Sequence, residues 1–292
     1  MFRSDLFSGK RILVTGGGTG LGKAMAQRLM ELGAELHICG RREGVLTETA
    51  KELAAATGGR IFSHACDIRV AQAVDEMIAT IWQQHGPLDG LVNNAAGNFI
   101  AKTEDLSPRG FDAIANIVLH GSFYVTQAVG KRWIAAKRGG AIVSIVTTWV
   151  WTGSAFVVPS AMSKAGIAAM TQSLAVEWGP KGIRLNAIAP GPFPTEGMTK
   201  RLAPTEALER KMISAIPMRR VGNLPELANL AAFLLADDVG YVTGEVIAID
   251  GGQWLNGAGG FGALTELTDT EWQDIREAIT ATNARDKAQR TV

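Results

Sequence analysis

The chain has 292 residues, of which 47% are apolar and 20% are charged, as is usual for a globular protein with a sizeable core. Its formal net charge of +1 gives no electrostatic reason to expect nucleic acid or an acidic membrane surface as a partner. No apolar run is long enough to span a membrane, and two cysteines, Cys39 and Cys66, are too few for a disulfide framework. We therefore expect a cytoplasmic protein that binds neither nucleic acid nor membrane, and we predict no metal site.

Short β-branched runs alternate along the chain with segments whose apolar residues recur at helical spacing. The predicted strands cover residues 12–15, 35–39, 60–66, 88–92, 141–146, 183–189 and 246–249. The predicted helices cover residues 21–32, 44–56, 70–84, 111–137, 159–178 and 226–236. This alternation predicts an α/β fold with a doubly wound parallel sheet and helices on both of its faces, the Rossmann fold.

A glycine-rich segment, residues 257–262, follows the last predicted strand and marks the end of the core. We predict one dinucleotide-binding and catalytic domain over residues 1–256 and a C-terminal extension over residues 257–292. Thr268 and Glu271 have the spacing of a helix capping box, which predicts a short helix over residues 268–282. From about Asn283 onward we expect frayed residues.

Residues 15–22 join the first predicted strand to the first predicted helix. Glycines at such a junction permit a tight turn and let backbone amides approach a pyrophosphate at the helix N-terminus. The position of the glycines at the first βα junction favours a dinucleotide site over a purely structural turn. The candidate cofactor-binding residues in this loop are Thr15, Gly16, Gly18, Thr19, Gly20, Leu21 and Gly22.

The end of the second strand reads Cys39-Gly40-Arg41-Arg42, with no carboxylate before Glu43. A carboxylate there would bind the ribose 2′-hydroxyl of NAD, whereas two arginines suit a 2′-phosphate by charge and by bidentate geometry. The pattern therefore favours NADP(H). The alternative is a solvated arginine pair at the start of the next helix.

Two further segments follow predicted strands at the carboxyl edge of the sheet, where folds of this type bind ligands. Asp67, followed by Ile68, could hydrogen-bond the adenine edge of the nucleotide or cap the helix that starts near Val70. After the fourth strand, small residues let the backbone run close beneath the cofactor; these are Asn94, Ala95, Ala96 and Gly97.

Over roughly residues 9–255 the sequence resembles the short-chain dehydrogenase/reductase family, through residues 15–22, 93–97, 164 and 190–192 in that order. The resemblance implies that Lys164, Pro190, Gly191 and Pro192 also contact the cofactor. It further implies a substrate lid at about residues 192–222. It also implies a homo-oligomer, predicted as a homotetramer, that pairs through the long helices at residues 111–137 and 159–178.

The family's usual active site carries Tyr-x-x-x-Lys, but this chain has Ser160 four residues before Lys164. A serine hydroxyl is a far weaker acid than a phenol, whose pKa is about 10. Val118 stands in place of the helical asparagine that usually assists, and Thr147 in place of the usual serine. Together these departures argue against ordinary ketone chemistry.

The same departures resemble the 2,4-dienoyl-CoA reductase branch of the family, as do residues 93–99, 156–160, 175–179, 186–234 and 260–279. The branch implies NADPH-dependent reduction of 2,4-dienoyl-CoA to 3-enoyl-CoA, auxiliary to fatty-acid β-oxidation. One alternative is an NADP-dependent carbonyl reductase or alcohol dehydrogenase acting on another acyl-CoA or a terpenoid. Another is an NADPH-binding protein without chemistry.

The branch resemblance implies that Asn98 donates a hydrogen bond to the developing enolate oxygen, that Lys164 holds the nicotinamide ribose and that Ser160 orients both cofactor and lysine. Mitochondrial-type members place a tyrosine eleven residues before the serine, where this chain has Trp149. An indole N–H donates a hydrogen bond but is not an acid. Either Trp149 assists as a donor, or a water near Asn98, Thr147 and Lys164 supplies the proton.

The predicted lid carries cations that could bind CoA phosphates, although solvated charge is the ordinary interpretation; they are Lys200, Arg201, Arg219 and Arg220. Phe193 and Met198 are candidates to line an acyl channel. Histidine is a common acid–base residue, but the place of His120 on the long helix indicates a subunit contact rather than chemistry.

Overall fold

The computed structural model describes residues 2–195, 205–258 and 261–289. Seven parallel strands form a single sheet in the order β3-β2-β1-β4-β5-β6-β7. They are β1 (Arg11–Thr15), β2 (Glu35–Gly40), β3 (Ile61–Ala65), β4 (Gly90–Asn93), β5 (Gly140–Ile145), β6 (Ile183–Pro190) and β7 (Val246–Ile249). The predicted doubly wound α/β fold is confirmed.

Within the described residues, eleven α-helices connect and follow these strands. They are α1 (Gly20–Glu31), α2 (Glu43–Thr57), α3 (Ala71–His85), α4 (Pro108–Ala115), α5 (Gly121–Ala135), α6 (Trp149–Thr152), α7 (Val158–Trp178), α8 (Glu206–Ser214), α9 (Leu224–Leu235), α10 (Gln253–Ala258) and α11 (Asp269–Gln289). Over the part of the chain that is described, no helix is both long enough and apolar enough to cross a membrane.

The sheet is buried on both faces, as the near-continuous apolar runs of its strands require. In β1, Ile12 and Val14 pack into the core shared with α1 and α9, whereas Leu13 points to the opposite face and packs with α3 and α5. On that second face Trp133 is fully buried, and its indole N–H donates to the carbonyl of Leu88 at 2.6 Å. The strand order reverses between β1 and β4, so their carboxyl ends border a crevice that can admit a ligand.

The long helix predicted over residues 111–137 is interrupted. A five-residue π-helical turn, Asn116–His120, lies between α4 and α5. A π turn adds one residue to the helical repeat, and apolar spacing alone does not reveal it. Val118 points into the core from this turn and is fully buried. His120 is exposed, with its ring nitrogen 3.0 Å from Oδ1 of Asn116.

The C-terminal helix confirms one prediction and corrects another. The capping box is present, because the Thr268 N–H donates to Glu271 at 2.7 Å and the Glu271 N–H donates to the Thr268 hydroxyl at 3.3 Å. Fraying from Asn283 was the wrong expectation, since α11 continues to Gln289. The last residues of this helix include no glycine or proline, and alanine, arginine and lysine favour helix continuation.

Candidate active site

A cavity of about 740 Å³ opens at the carboxyl edge of the sheet, within the size range of ligand pockets. Its wall combines the ends of β1, β2, β4, β5 and β6 with the start of α7. All the predicted catalytic and cofactor-binding residues line this cavity except Thr15, Gly20 and Gly22. The structure therefore brings the predicted cofactor residues and the predicted catalytic residues to one place.

Thr15 is predicted to contact the cofactor; in the structure it lies behind the cavity wall, where its side chain joins the ends of two strands. Its buried hydroxyl accepts hydrogen bonds from the backbone N–H groups of Asn94 and Ala95, each at 3.0 Å. The side-chain amide of Asn94 in turn donates to the Thr15 carbonyl at 3.0 Å. These bonds hold the loop after β4 against the loop after β1, so Thr15 positions the residues that line the cavity.

Two glycines explain why this junction is tight. Gly16 has a φ of +64°, in the left-handed region that glycine adopts without steric cost. A Cβ on Gly22 would lie 2.3 Å from the carbonyl oxygen of Gly16 and 2.5 Å from Nδ2 of Asn94. Gly22 therefore acts from beneath the cavity, where it allows α1 to pack directly on the loop.

The N-terminus of α1 is open to the cavity. Thr19 is the N-cap residue in an extended conformation, and its side chain makes no capping hydrogen bond. The first backbone N–H groups of a helix have no intrahelical partner, and with the helix dipole they form an anion-binding site. Behind the loop the Thr49 hydroxyl donates to the Gly18 carbonyl at 2.8 Å. The geometry fits the pyrophosphate of a dinucleotide.

Arg41 and Arg42 line the cavity with exposed side chains. Arg42 is the N-cap residue of α2, but its side chain makes no capping hydrogen bond. Within residues 2–195, 205–258 and 261–289 no carboxylate forms a salt bridge with either guanidinium. Both cations are therefore available to a phosphate group.

Asp67 lines the cavity, but an arginine already engages it. The Arg69 guanidinium donates to both Asp67 carboxylate oxygens, at 2.9 Å and 2.5 Å, and this pairing lowers the pKa of Asp67. The alternative role as a helix cap does not hold, because Val70 is the N-cap residue of α3 and no side chain caps this helix. Asp67 is thus an ionised acceptor at the nucleotide end of the cavity, beside Ile68.

Lys164 is a buried cation on α7. Its Nζ donates to the backbone carbonyl of Ile145 at the end of β5, and burial lowers the pKa of the ammonium group to about 8. Ser160 lies one turn earlier on the same helix and is also buried. Residues four apart share a helix face, so both reach the cavity wall together.

Asn98 follows β4 and is half-buried in the cavity wall. Its Oδ1 accepts the backbone N–H of Phe99 at 2.9 Å, which leaves the amide NH₂ as the free hydrogen-bonding group. The local chain thus orients Asn98 as a donor, the role that an enolate oxygen requires. Thr147 and Trp149, which follow β5, line the same cavity and are half-buried.

Phe156 is a cavity residue that sequence reasoning did not single out. It has a φ of +64°, a strained conformation for a bulky side chain. Its carbonyl accepts the N–H of Ala101 at 2.9 Å, so the segment after β5 is tied to the segment after β4. Left-handed φ is usually signalled by glycine or asparagine, and neither occurs at this position.

The predicted lid is described in part. Lys200, Arg201 and Met198 lie outside the described residues. Arg220 is paired with Glu226 through two hydrogen bonds of 2.9 Å and 2.7 Å, and Arg219 donates to the Ser214 carbonyl and lies 3.8 Å from Glu266. These pairings weaken the prediction that the two arginines bind CoA phosphates.

Phe193 is buried and lines the cavity. Its ring also packs against Gly222, where an added Cβ would lie 2.4 Å from the ring carbons. Phe193 therefore joins the cavity wall to the chain that leads into α9.

A family model described as Enoyl-(Acyl carrier protein) reductase matches residues 16–253 of the chain. A Bacillus subtilis (strain 168) protein named "Probable 2,4-dienoyl-CoA reductase", (2E)-enoyl-CoA-producing, is 44% identical over 248 residues, which are 85% of this chain and 97% of that protein. A Caenorhabditis elegans protein named "Probable 2,4-dienoyl-CoA reductase", (3E)-enoyl-CoA-producing, is 41% identical in an alignment that covers 99% of this chain and 95% of that protein.

Solved structures agree with the sequence comparisons. A dehydrogenase structure from Agrobacterium tumefaciens with bound NADP is 32% identical, with a TM-score of 0.80 over 87% of this chain and 100% of that chain. The family model covers well over half of the chain. The chain therefore belongs to the short-chain dehydrogenase/reductase family of oxidoreductases, which use a nicotinamide cofactor, and it is similar to the 2,4-dienoyl-CoA reductases of that family.

Proposed function

We propose that this protein reduces 2,4-dienoyl-CoA thioesters to 3-enoyl-CoA with NADPH, as an auxiliary reaction of fatty-acid β-oxidation. One observation carries the proposal: the cavity holds Asn98, oriented as an amide donor, and the buried Lys164, but Ser160 instead of a phenol. Reduction of a ketone requires a proton on the carbonyl oxygen, which serine supplies poorly. Reduction of a conjugated thioester instead requires a donor that stabilises the enolate oxygen, and the proton adds to carbon rather than to that oxygen.

The residues of the cavity fit NADPH in separate regions. The open amides at the start of α1 suit the pyrophosphate, Arg41 and Arg42 suit the 2′-phosphate, and Lys164 suits the nicotinamide ribose. When bound, the cofactor supplies a hydride to the δ-carbon of the conjugated thioester. As electron density reaches the thioester oxygen, the Asn98 amide donates a hydrogen bond to it.

Protonation of the dienolate completes the reaction. In our proposal the proton adds at the α-carbon from a water held near Asn98, Thr147 and Lys164, and Trp149 lines the site. Proton addition at the γ-carbon would give a 2-enoyl product instead, and the Bacillus subtilis relative carries that product in its name. The two products differ in double-bond position, which NMR distinguishes.

The experiment that tests the proposal is NADPH oxidation with a 2,4-dienoyl-CoA, alongside a 3-oxoacyl-CoA of equal chain length. We expect turnover on the dienoyl substrate alone. Turnover on the oxo substrate alone would make the protein a carbonyl reductase that works without its phenol. Tight NADPH binding without turnover on either substrate would favour the non-catalytic alternative.

We also propose a cytoplasmic homotetramer that pairs through the helices around α5 and α7. Exposed apolar side chains on these helices support an interface, among them Phe123, Met162 and Val176. Light scattering of the purified protein tests the number of subunits, and a monomeric mass would contradict this part of the proposal.

A further inference from the structure

Three of the four histidines of the chain cluster on the face of the sheet that packs against α3. His37 lies in β2, His64 in β3, and His85 is the last residue of α3. The ring of His37 is 5.2 Å from that of His64 and 4.9 Å from that of His85. Cys39, near the end of β2, lines the cofactor cavity, so His37 lies about 7 Å and Glu35 about 13 Å along the strand from that cavity.

His37 has one ring nitrogen with a partner and one without. Its Nδ1 lies 3.0 Å from Nε2 of His64, which is hydrogen-bond distance. Its Nε2 is buried without a hydrogen-bond partner among the described residues, and the side chain is fully buried. The atom that Nε2 faces is Oε1 of Glu35 at 3.7 Å, too far for a hydrogen bond.

One of the two tautomers that this contact allows is the one that a metal ligand needs. When Nδ1 of His37 donates to His64, Nε2 presents a lone pair to a carboxylate oxygen, and a cation between the two atoms satisfies both. Histidine ligands almost always donate their second ring N–H to a nearby acceptor, which is the position of His64 here. The unpartnered atom therefore indicates an occupant that both groups can bind.

The ligand atoms have nearly the spacing of a coordination sphere. One such atom each from Glu35, His37 and His85 all lie within 4.8 Å of one another. Zinc bonds of about 2.0–2.1 Å in a tetrahedron place ligand atoms about 3.4 Å apart, so small side-chain rotations close the set. Glu35 and His85 are half-buried and can make them. Two imidazoles and one carboxylate, with an open fourth position, suit zinc and similar transition metals.

We propose that Glu35, His37 and His85 form a binding site for one divalent transition-metal ion, with His64 as the outer partner of His37. This differs from our sequence-based expectation of no metal site. Arg11 and Arg60 each pair with one Glu35 oxygen at 3.0 Å and hold the carboxylate in place. Each oxygen keeps a second lone pair for the metal. The arginine charges oppose a cation, so we expect micromolar rather than tighter affinity.

The test uses the full-length, tag-free protein and Zn²⁺ alone, measured by isothermal titration. Wild type should bind one Zn²⁺ per chain, and His120→Gln, which removes the histidine outside the cluster, should bind it equally. His85→Gln removes a ligand and should abolish binding. His64→Gln removes only the outer partner and should weaken binding by about 10–100-fold. His37 is fully buried, so its replacement would disturb the core as well as the metal site, and the test omits this variant.

Cobalt supplies a second readout that a purely structural role would not give. Co²⁺ bound by these ligands should show the visible absorption bands of a four-coordinate site in wild type and His120→Gln, but not in His85→Gln. Absence of Zn²⁺ uptake by wild type, or uptake that His85→Gln leaves unchanged, would overturn the proposal. Neither readout depends on turnover, so the outcome is independent of the proposed reductase activity.

Discussion

The two ends of the active-site cavity differ in what shapes them: backbone geometry at one end and side-chain chemistry at the other. At the cofactor end, backbone geometry dominates: Gly16 and Gly22 permit a close approach, and the first turn of α1 is left open. At the substrate end, side-chain chemistry dominates: Asn98 offers an amide, Lys164 is a buried cation, and Ser160 takes the place of a phenol. The first end carries the features of the family, whereas in our proposal the second end determines the reaction.

The largest effect should come from the substrate end. Asn98→Ala removes the donor to the enolate oxygen, and loss of one such donor typically lowers kcat by about 100–1000-fold. Binding of NADPH, measured by fluorescence, should not change. Asn116→Ala is the matched control, because Asn116 bonds His120 outside the cavity lining. Near-normal turnover of Asn98→Ala would remove Asn98 from the mechanism.

At the cofactor end, charge should set the nucleotide preference. Replacing Arg41 and Arg42 by alanine removes the charge-assisted hydrogen bonds to a 2′-phosphate, each worth about 1.5–3 kcal/mol. Because solvent screens both exposed side chains, we expect less than the two full contributions: KM for NADPH should rise by roughly 10–100-fold and KM for NADH should stay constant. NADH serves as the internal control in the same preparation. Equal use of both nucleotides by wild type would contradict the assignment of NADP(H).

Backbone packing at the cofactor end can be tested with two glycines. Gly22→Ala places a Cβ against the Gly16 carbonyl and should lower the free energy of unfolding by about 1–3 kcal/mol, with weaker NADPH binding. Gly44→Ala, in α2, meets no atom within 4 Å and should raise stability by about 0.4–1 kcal/mol. Urea unfolding measures the free energy of unfolding of both variants. Similar changes in the two values would show that the close approach of Gly22 to the Gly16 carbonyl is not required.

The burial of Lys164 predicts a pH dependence of stability. Its pKa is about 8 in the folded protein and 10.5 as the ordinary value, so between these values the unfolded chain binds more protons. The free energy of unfolding therefore rises with pH in this window, by at most about 1.4 kcal/mol per pH unit.

The thiol of Cys66 acts in the opposite direction, because burial raises its pKa to about 11 from 9.0. Comparison of wild type with Lys164→Met cancels this contribution. The difference between the two proteins should change across the window, and parallel stability curves from pH 8 to pH 10 would contradict the buried ammonium group.

The smallest effect should come from Trp149→Phe, which removes the indole N–H and keeps an aromatic ring. If Trp149 only lines the cavity, kcat should fall by no more than about fivefold, since a neutral hydrogen bond contributes about 1 kcal/mol. Trp151→Phe is the control, because Trp151 stacks on Trp254 at 4.8 Å and does not line the cavity. A loss near that of Asn98→Ala would make Trp149 a donor to the enolate.

Local patterns predicted the strands and the glycine-rich junction well, because burial on both faces and a close backbone approach restrict which residues fit. They did not predict the π-helical turn at Asn116–His120, since one extra residue leaves the apolar spacing nearly unchanged. They also missed the pairing of Asp67 with Arg69 and the left-handed Phe156. These features depend on side-chain placement or on contacts between distant segments, and a linear sequence does not display either.

The most direct test of the central claim follows the hydride with NADPH deuterated at the transferred position of the nicotinamide. With a 2,4-dienoyl-CoA, we predict a 3-enoyl-CoA that carries deuterium on its δ-carbon, and no deuterium transfer to a 3-oxoacyl-CoA. A 2-enoyl product with deuterium on the same carbon would support the proposed hydride transfer and change only the carbon that is protonated, from the α-carbon to the γ-carbon. Deuterium on the carbinol carbon of the oxo substrate, with none in the dienoyl product, would contradict the proposed reaction.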